Sequence, residues 1–138
     1  MVQAEELRYA ISPLPCHALY YESQLIQMTP PWIKALDRIE IVEEELEIES
    51  GISLVPLLGH MPGFQGVLVA LKGGRCLIAG DTWPLFENWY GNEQASHIPP
   101  GIHVNLCDCY DSFRKIESIA DMVLPGHDLK VLEKGIYE

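Results

Sequence analysis

Basic residues are scarce in this chain: 9 lysines and arginines stand against 20 aspartates and glutamates, for a formal net charge of −11. The isoelectric point is near 4.7. Phosphate backbones and anionic lipid are held through clustered Lys and Arg, so this deficit argues against nucleic acid and against a membrane surface as partners. Long apolar runs are missing too; none approaches the ~18 residues that span a bilayer. The opening residues MVQAEEL have neither a basic n-region nor an apolar h-region, and the expected location is the cytoplasm. Four cysteines, Cys16, Cys76, Cys107 and Cys109, make no disulfide framework in 138 residues of that compartment. Cys107 and Cys109 form a bare C-x-C pair without partners for a tetrahedral site, so all four are expected to be packing or surface thiols. Histidine supplies the last absence. Five are present, and no two of them form an H-x-H pair.

What is present is enough apolar material for one core. Hydrophobic residues make up 48% of the chain, and residues 1–138 are expected to form a single domain. Ten prolines and eleven glycines mark many turns. Residues 2–10 read as a short helix and 32–36 as another; 38–42 and 46–48 read as strands joined by an acidic, solvated hairpin at Glu43, Glu44 and Glu45. Apolar strands follow at 52–58, 66–71 and 75–79, the last two joined by a tight hairpin through Lys72, Gly73 and Gly74. Phe113, Ile116, Ile119 and Ala120 give 108–121 the spacing of an amphipathic helix. A last core strand is expected at 122–124 and a closing helical turn at 129–134.

Three residues carry the chemistry. His60 follows the apolar run LVPLL and opens a Gly/Pro turn; Asp81 ends CLIAG; His127 follows MVLPG. Each leaves the end of a buried strand, where the backbone is fixed and side chains can converge on a cleft. Imidazole nitrogen and carboxylate oxygen are the donors that zinc and similar ions take in hydrolytic sites, and a carboxylate can bridge two ions. Two histidines and one aspartate in this arrangement make half of such a site.

The blocks GHMPGFQGV at 59–67, IAGD at 78–81 with Glu87 and Asn88 after it, and LPGHD at 124–128 resemble the metallo-β-lactamase superfamily. Within it they are most similar to the N-acyl homoserine lactonase-like hydrolases. The likeness runs from Val2 and Gln3 to the Gly-His-Asp near the end, and includes GIHV at 101–104 leading into the helix around 110–116. The family's H-x-H-x-D-H block is absent, so the resemblance is to the carboxyl-terminal half alone. It implies an α/β (α+β) fold: half of an αββα sandwich, a mixed sheet with covering helices.

By that resemblance His60 completes the histidine set of a first metal ion, Asp81 bridges two ions and takes part in catalysis, and His127 serves the second. The implied cofactor is a divalent metal, zinc foremost. The implied substrate is a small ester or lactone, and the implied activity is metal-dependent hydrolysis that this chain alone cannot complete. Two alternatives stay open: a catalytically silent truncated half acting as an oligomerising or binding module, and a glyoxalase II-like thioesterase. Where the lactonases often carry a tyrosine three residues after the aspartate, this chain has Pro84. A lone half also leaves one sheet face bare. Even ~600 Å² of uncovered apolar sheet amounts to ~15 kcal/mol of burial not realised, more than a typical domain's stability. A homodimer or a complementing N-terminal fragment is therefore expected to cover it.

The other candidates have plainer readings. His17 is expected to be structural or at a pocket lip, His97 exposed in its loop, and His103 a packing residue or a support for the ligands. Asp128 reads as a cap on the following helix. Trp83, Phe86 and Trp89 could line an acyl-chain pocket or fill the core.

Overall fold

The computed structural model describes residues 1–137. A five-stranded mixed sheet organises the chain in the order β3 (Leu46–Glu49), β4 (Ile52–Pro56), β5 (Gln65–Leu71), β6 (Gly74–Gly80) and β7 (Met122–Pro125), after a small parallel pair of β1 (Val2–Gln3) with β2 (Ile41–Val42). Neighbours from β3 to β6 run antiparallel, whereas β7 lies parallel to β6. It follows that β4, β6 and β7 all point the same way, and their carboxyl ends share one edge of the sheet.

Alternation along the strands gives each face its residues. Pairing of Ser53 with Leu68 and of Leu68 with Leu77, and of Leu77 with Val123, sets one face. Helix α3 (Leu106–Ile119) covers it, its Cys109, Phe113 and Ile116 recurring at helical spacing against Val55, Leu57, Leu77 and Ala79. Asn105 starts this helix by accepting from the Cys107 and Asp108 amides. Trp83 is fully buried and stacks on Phe113 at 4.9 Å. The opposite face carries Leu46, Leu54, Val67, Val69, Ile78 and Leu124; Leu46 and Ile78 on it are about two-fifths exposed, at 38% and 46%, whereas Leu54 is buried.

The helix expected at 2–10 begins two residues late, as α1 (Ala4–Ile11), because Val2 and Gln3 pair with Ile41 and Val42. That pairing also corrects the expected acidic hairpin. Strand β3 pairs instead with β4, around a turn in which Gly51 takes φ +77° and its carbonyl accepts from Ala70. The Gln3 amide donates to the Glu44 carbonyl and to Gln65, which draws the acidic stretch toward the start of the chain. Three-ten turns at Pro15–His17, Gln24–Ile26 and Pro31–Arg38 fill the intervening segment; the last replaces the helix expected at 32–36. Short helices α2 (Phe86–Tyr90) and α4 (Lys130–Glu133) complete the order. No helix among the described residues is long and apolar enough to cross a membrane.

Candidate metal centre

His60, Asp81 and His127 follow β4, β6 and β7, the three co-directional strands, and the sheet delivers them to one cavity. It measures about 250 Å³, and Pro84, Pro100, Gly101 and Ile102 form the rest of its wall. The ionisable groups on that wall are these three side chains themselves; no lysine or arginine of the described residues lines it.

His60 sits on a turn held from two sides. A side chain at Gly59 would place its Cβ 2.4 Å from the Cys109 amide nitrogen, and one at Gly63 would lie 2.1 Å from that of Glu6. Only glycine permits those approaches. The Gly59 carbonyl accepts from Val104 and Asn105, which ties the turn to the start of α3. The imidazole meets Phe64 edge-on at 5.2 Å, and its Nδ1 lies 2.7 Å from the Ile102 carbonyl. A carbonyl only accepts, so Nδ1 carries the proton and the Nε2 lone pair faces the cavity.

Asp81 and His127 are held together by backbone. The Gly126 amide donates to the Gly80 and Trp83 carbonyls, and the His127 amide donates to Pro84. Asp128 accepts from Phe86 through one oxygen and from Lys130 through the other. These two bonds hold its carboxyl below the ordinary carboxylate range. Asp128 thus accepts the first amide of α2 and of α4, whose N-cap positions are Leu85 and Leu129, and the Phe86 bond ties the His127 segment to the Asp81 loop.

The carboxylate of Asp81 divides its oxygens between the two imidazoles. Oδ1 accepts from His127 Nε2 at 2.6 Å, and Oδ2 stands 3.6 Å from His60 Nε2. Two donors on one tetrahedral zinc at about 2.0–2.1 Å are roughly 3.3 Å apart, so the His60 to Asp81 spacing fits a shared ion. The His127 contact is a direct hydrogen bond at 2.6 Å; it must open by about 0.7 Å, and Nε2 must give up its proton, to do the same. Among the described residues no three His, Cys, Asp or Glu side chains form a ready metal-holding group. The donors come as two pairs sharing Asp81, rather than as a triad around one point. His127, whose side chain is 67% exposed, faces outward from this chain, while that of His60 is only 12% exposed.

The remaining histidines take structural places. His17 is buried and bonded to the Tyr9 hydroxyl at 2.7 Å. His97, expected to be exposed, is buried instead: it stacks on Trp89, and its two ring nitrogens meet the Trp89 carbonyl and Glu117. Its loop folds over α3, an approach that its Pro-rich surroundings did not reveal. His103 bonds the Pro100 carbonyl and so braces the loop whose Ile102 carbonyl orients His60. Trp83 and Trp89 belong to core packing and Phe86 stacks on Tyr90, so none of the three lines the cavity. Cys76 and Cys109 are buried, Cys16 and Cys107 exposed, and all four are free. Sequence reasoning missed Ile102 and Glu6 as partners of the His60 turn; both act on it over more than forty positions, through a backbone oxygen and a helix side chain that no local spacing signals.

No family model matches the sequence, and no curated protein matches it. Its fold does have solved counterparts. An AiiA variant from B. thuringiensis with N-decanoyl-L-homoserine bound at the active site matches with a TM-score of 0.62 and 18% identity, over 99% of this chain and 49% of that one. AidC, a dizinc quorum-quenching lactonase in complex with a product, matches at 0.60 and 14%, over 93% and 47%. A hydrolase described as belonging to the beta lactamase superfamily, AbOPH, matches at 0.63 and 16%, over 92% and 46%. The chain spans about half the length of these structures, and its fold is that of the half it covers.

Proposed function

We propose that this chain is one half of a metal-dependent hydrolase that opens ester or lactone bonds in the cytoplasm, where its four thiols stay reduced. The observation that supports it most is the division of the Asp81 carboxylate between two imidazoles. In this reading His60 and Asp81 would hold one divalent ion, zinc foremost, and Asp81 and His127 would serve the second. When bound, such ions acidify water and polarise a carbonyl. Asp81 keeps the two positions at a fixed separation, and the Ile102 carbonyl holds His60 in its ligating tautomer. Pro84, Pro100 and Ile102 take the apolar part of an uncharged substrate, a preference that a wall without cations supports. With Pro84 where a tyrosine hydroxyl is common, this chain adds no side-chain donor to the carbonyl from that position.

Each ion receives at most two protein donors here, and a hydrolytic zinc site ordinarily has three. The remainder come from a complementing fragment with an H-x-H-x-D-H block, which also covers the exposed part of that sheet face; a second copy of this chain is the other candidate for it. Elemental analysis together with turnover of an N-acyl homoserine lactone and its thioester analogue tests the reading. Bound zinc and lactone hydrolysis that a chelator abolishes are expected once the complement is supplied. Metal-free, folded and inactive protein under the same conditions would leave the silent binding module as the better account.

A further inference from the structure

We propose that Glu6, on the opening helix, is a positioning residue that sets His60 for metal binding by holding the backbone of its turn. The purpose assigned to the contact rests on the hydrolase reading above; the contact itself does not. One Glu6 oxygen accepts from the Gly63 amide at 3.1 Å, and the other accepts from the Tyr21 hydroxyl at 2.5 Å. Glu6 lies 57 positions before Gly63, and the backbones touch there because glycine leaves no Cβ between them. Within the turn, Gly59 and Phe64 both donate to Met61, and Phe64 passes the strand ladder on to Leu57. These bonds close the loop on itself but do not fix it in space. Its anchors are α3 at Gly59, the Ile102 carbonyl at His60, and Glu6 at Gly63.

Tyr21 completes the device. Its hydroxyl is held far above the ordinary tyrosine range, first by burial and then by the Glu6 carboxylate, so it stays protonated and donating. Tyr21 fixes one carboxylate oxygen and thereby aims the other at Gly63. The opening segment of the chain, which supplies no ligand, thus controls the geometry of one. Partners behind a metal ligand typically change metal affinity by about 10- to 100-fold when removed.

Cobalt(II) titration of the full chain with its complement, read by visible absorption, tests this when paired with amide hydrogen exchange on the chain itself. Glu6→Ala is expected to weaken cobalt binding by at least about tenfold and to speed exchange at Gly63, while exchange at Gly126, beside His127, stays at the wild-type rate. Glu6→Gln retains an acceptor oxygen and is expected to restore most of both. Tyr21→Phe, expected to act in the same direction more weakly, serves if Glu6→Ala fails to fold. Unchanged cobalt affinity with unchanged Gly63 exchange in these variants overturns the proposal, as does a Glu6→Gln variant no better than Glu6→Ala. Wild-type chain that binds no cobalt even with its complement would count against the metal centre instead, and Gly63 exchange would then decide whether Glu6 holds the turn.

Discussion

Surface area makes a demand on this chain that can be measured directly. The folded chain exposes 8602 Å², whereas a monomer of its 15.5 kDa is expected to expose roughly 7,200 Å², an excess of about 1,400 Å². One side of an obligate interface buries about 1,000–2,500 Å². Exposed apolar side chains include Leu46 and Ile78 on the partly covered sheet face, Leu25, Ile26, Ile33 and Leu36 on the three-ten segments, and Leu19, Leu129, Leu132 and Ile136 elsewhere. If about 58% of the excess is apolar, covering it contributes ~20 kcal/mol gross as an upper figure, against roughly 4–15 kcal/mol lost on association. The balance favours a covered face. Sedimentation equilibrium at low micromolar concentration is expected to show association of the chain with itself or with a complementing fragment, strengthened by salt because a charge of −11 is then screened. Ile78→Glu, at the centre of that face, buries an unpaired carboxylate on association and is expected to cost several kcal/mol of it. A wild-type chain that stays monomeric, binds no hydrophobic dye and unfolds cooperatively would refute the reasoning.

Three further outcomes are expected. A thiol reagent should modify Cys16 and Cys107 in the folded chain but reach Cys76 and Cys109 only on denaturation, since both are buried and burial, followed by Asp108, pushes the Cys109 thiol up to about 11. Phe113→Ala should remove the ring on which Trp83 stacks and lower stability by about 3–5 kcal/mol in urea titration; a loss under 1 kcal/mol would place the core elsewhere. Asp128 is held below its ordinary value of 3.8 by the Phe86 and Lys130 amides, so its contribution is present above pH 3.8 and is lost as the pH falls through its lowered folded value. Wild type and Asp128→Asn should therefore differ in melting temperature from neutral pH down to about 4 and converge below, and a gap that persists in acid would contradict the capping role.

The strands after residue 50 were legible because their apolar runs are bounded by glycine and proline: 66–71 and 75–79 lie within β5 and β6 with their two-residue turn. Asp81 and His127 could be placed at strand ends for the same reason. Segments whose partners are distant in sequence were not legible. Residues 38–42 alternate like a hairpin arm, yet β2 runs parallel to β1, a pairing across some forty residues that periodicity does not encode. His97 sits among prolines in sequence and under Trp89 in space. The site shows the same division: the three residues that meet at the cavity were readable from strand ends, whereas the Ile102 carbonyl and Glu6 that hold the His60 turn come from elements fixed by tertiary packing.

The most direct test of the account is cobalt(II) bound to the full chain with its complement, read by the absorption of the bound ion in wild type and in His60→Ala, Asp81→Asn and His127→Ala. The account predicts that Asp81→Asn perturbs both ions while each histidine variant perturbs one. Wild-type spectra unchanged in all three variants, or no bound cobalt at all, would contradict it.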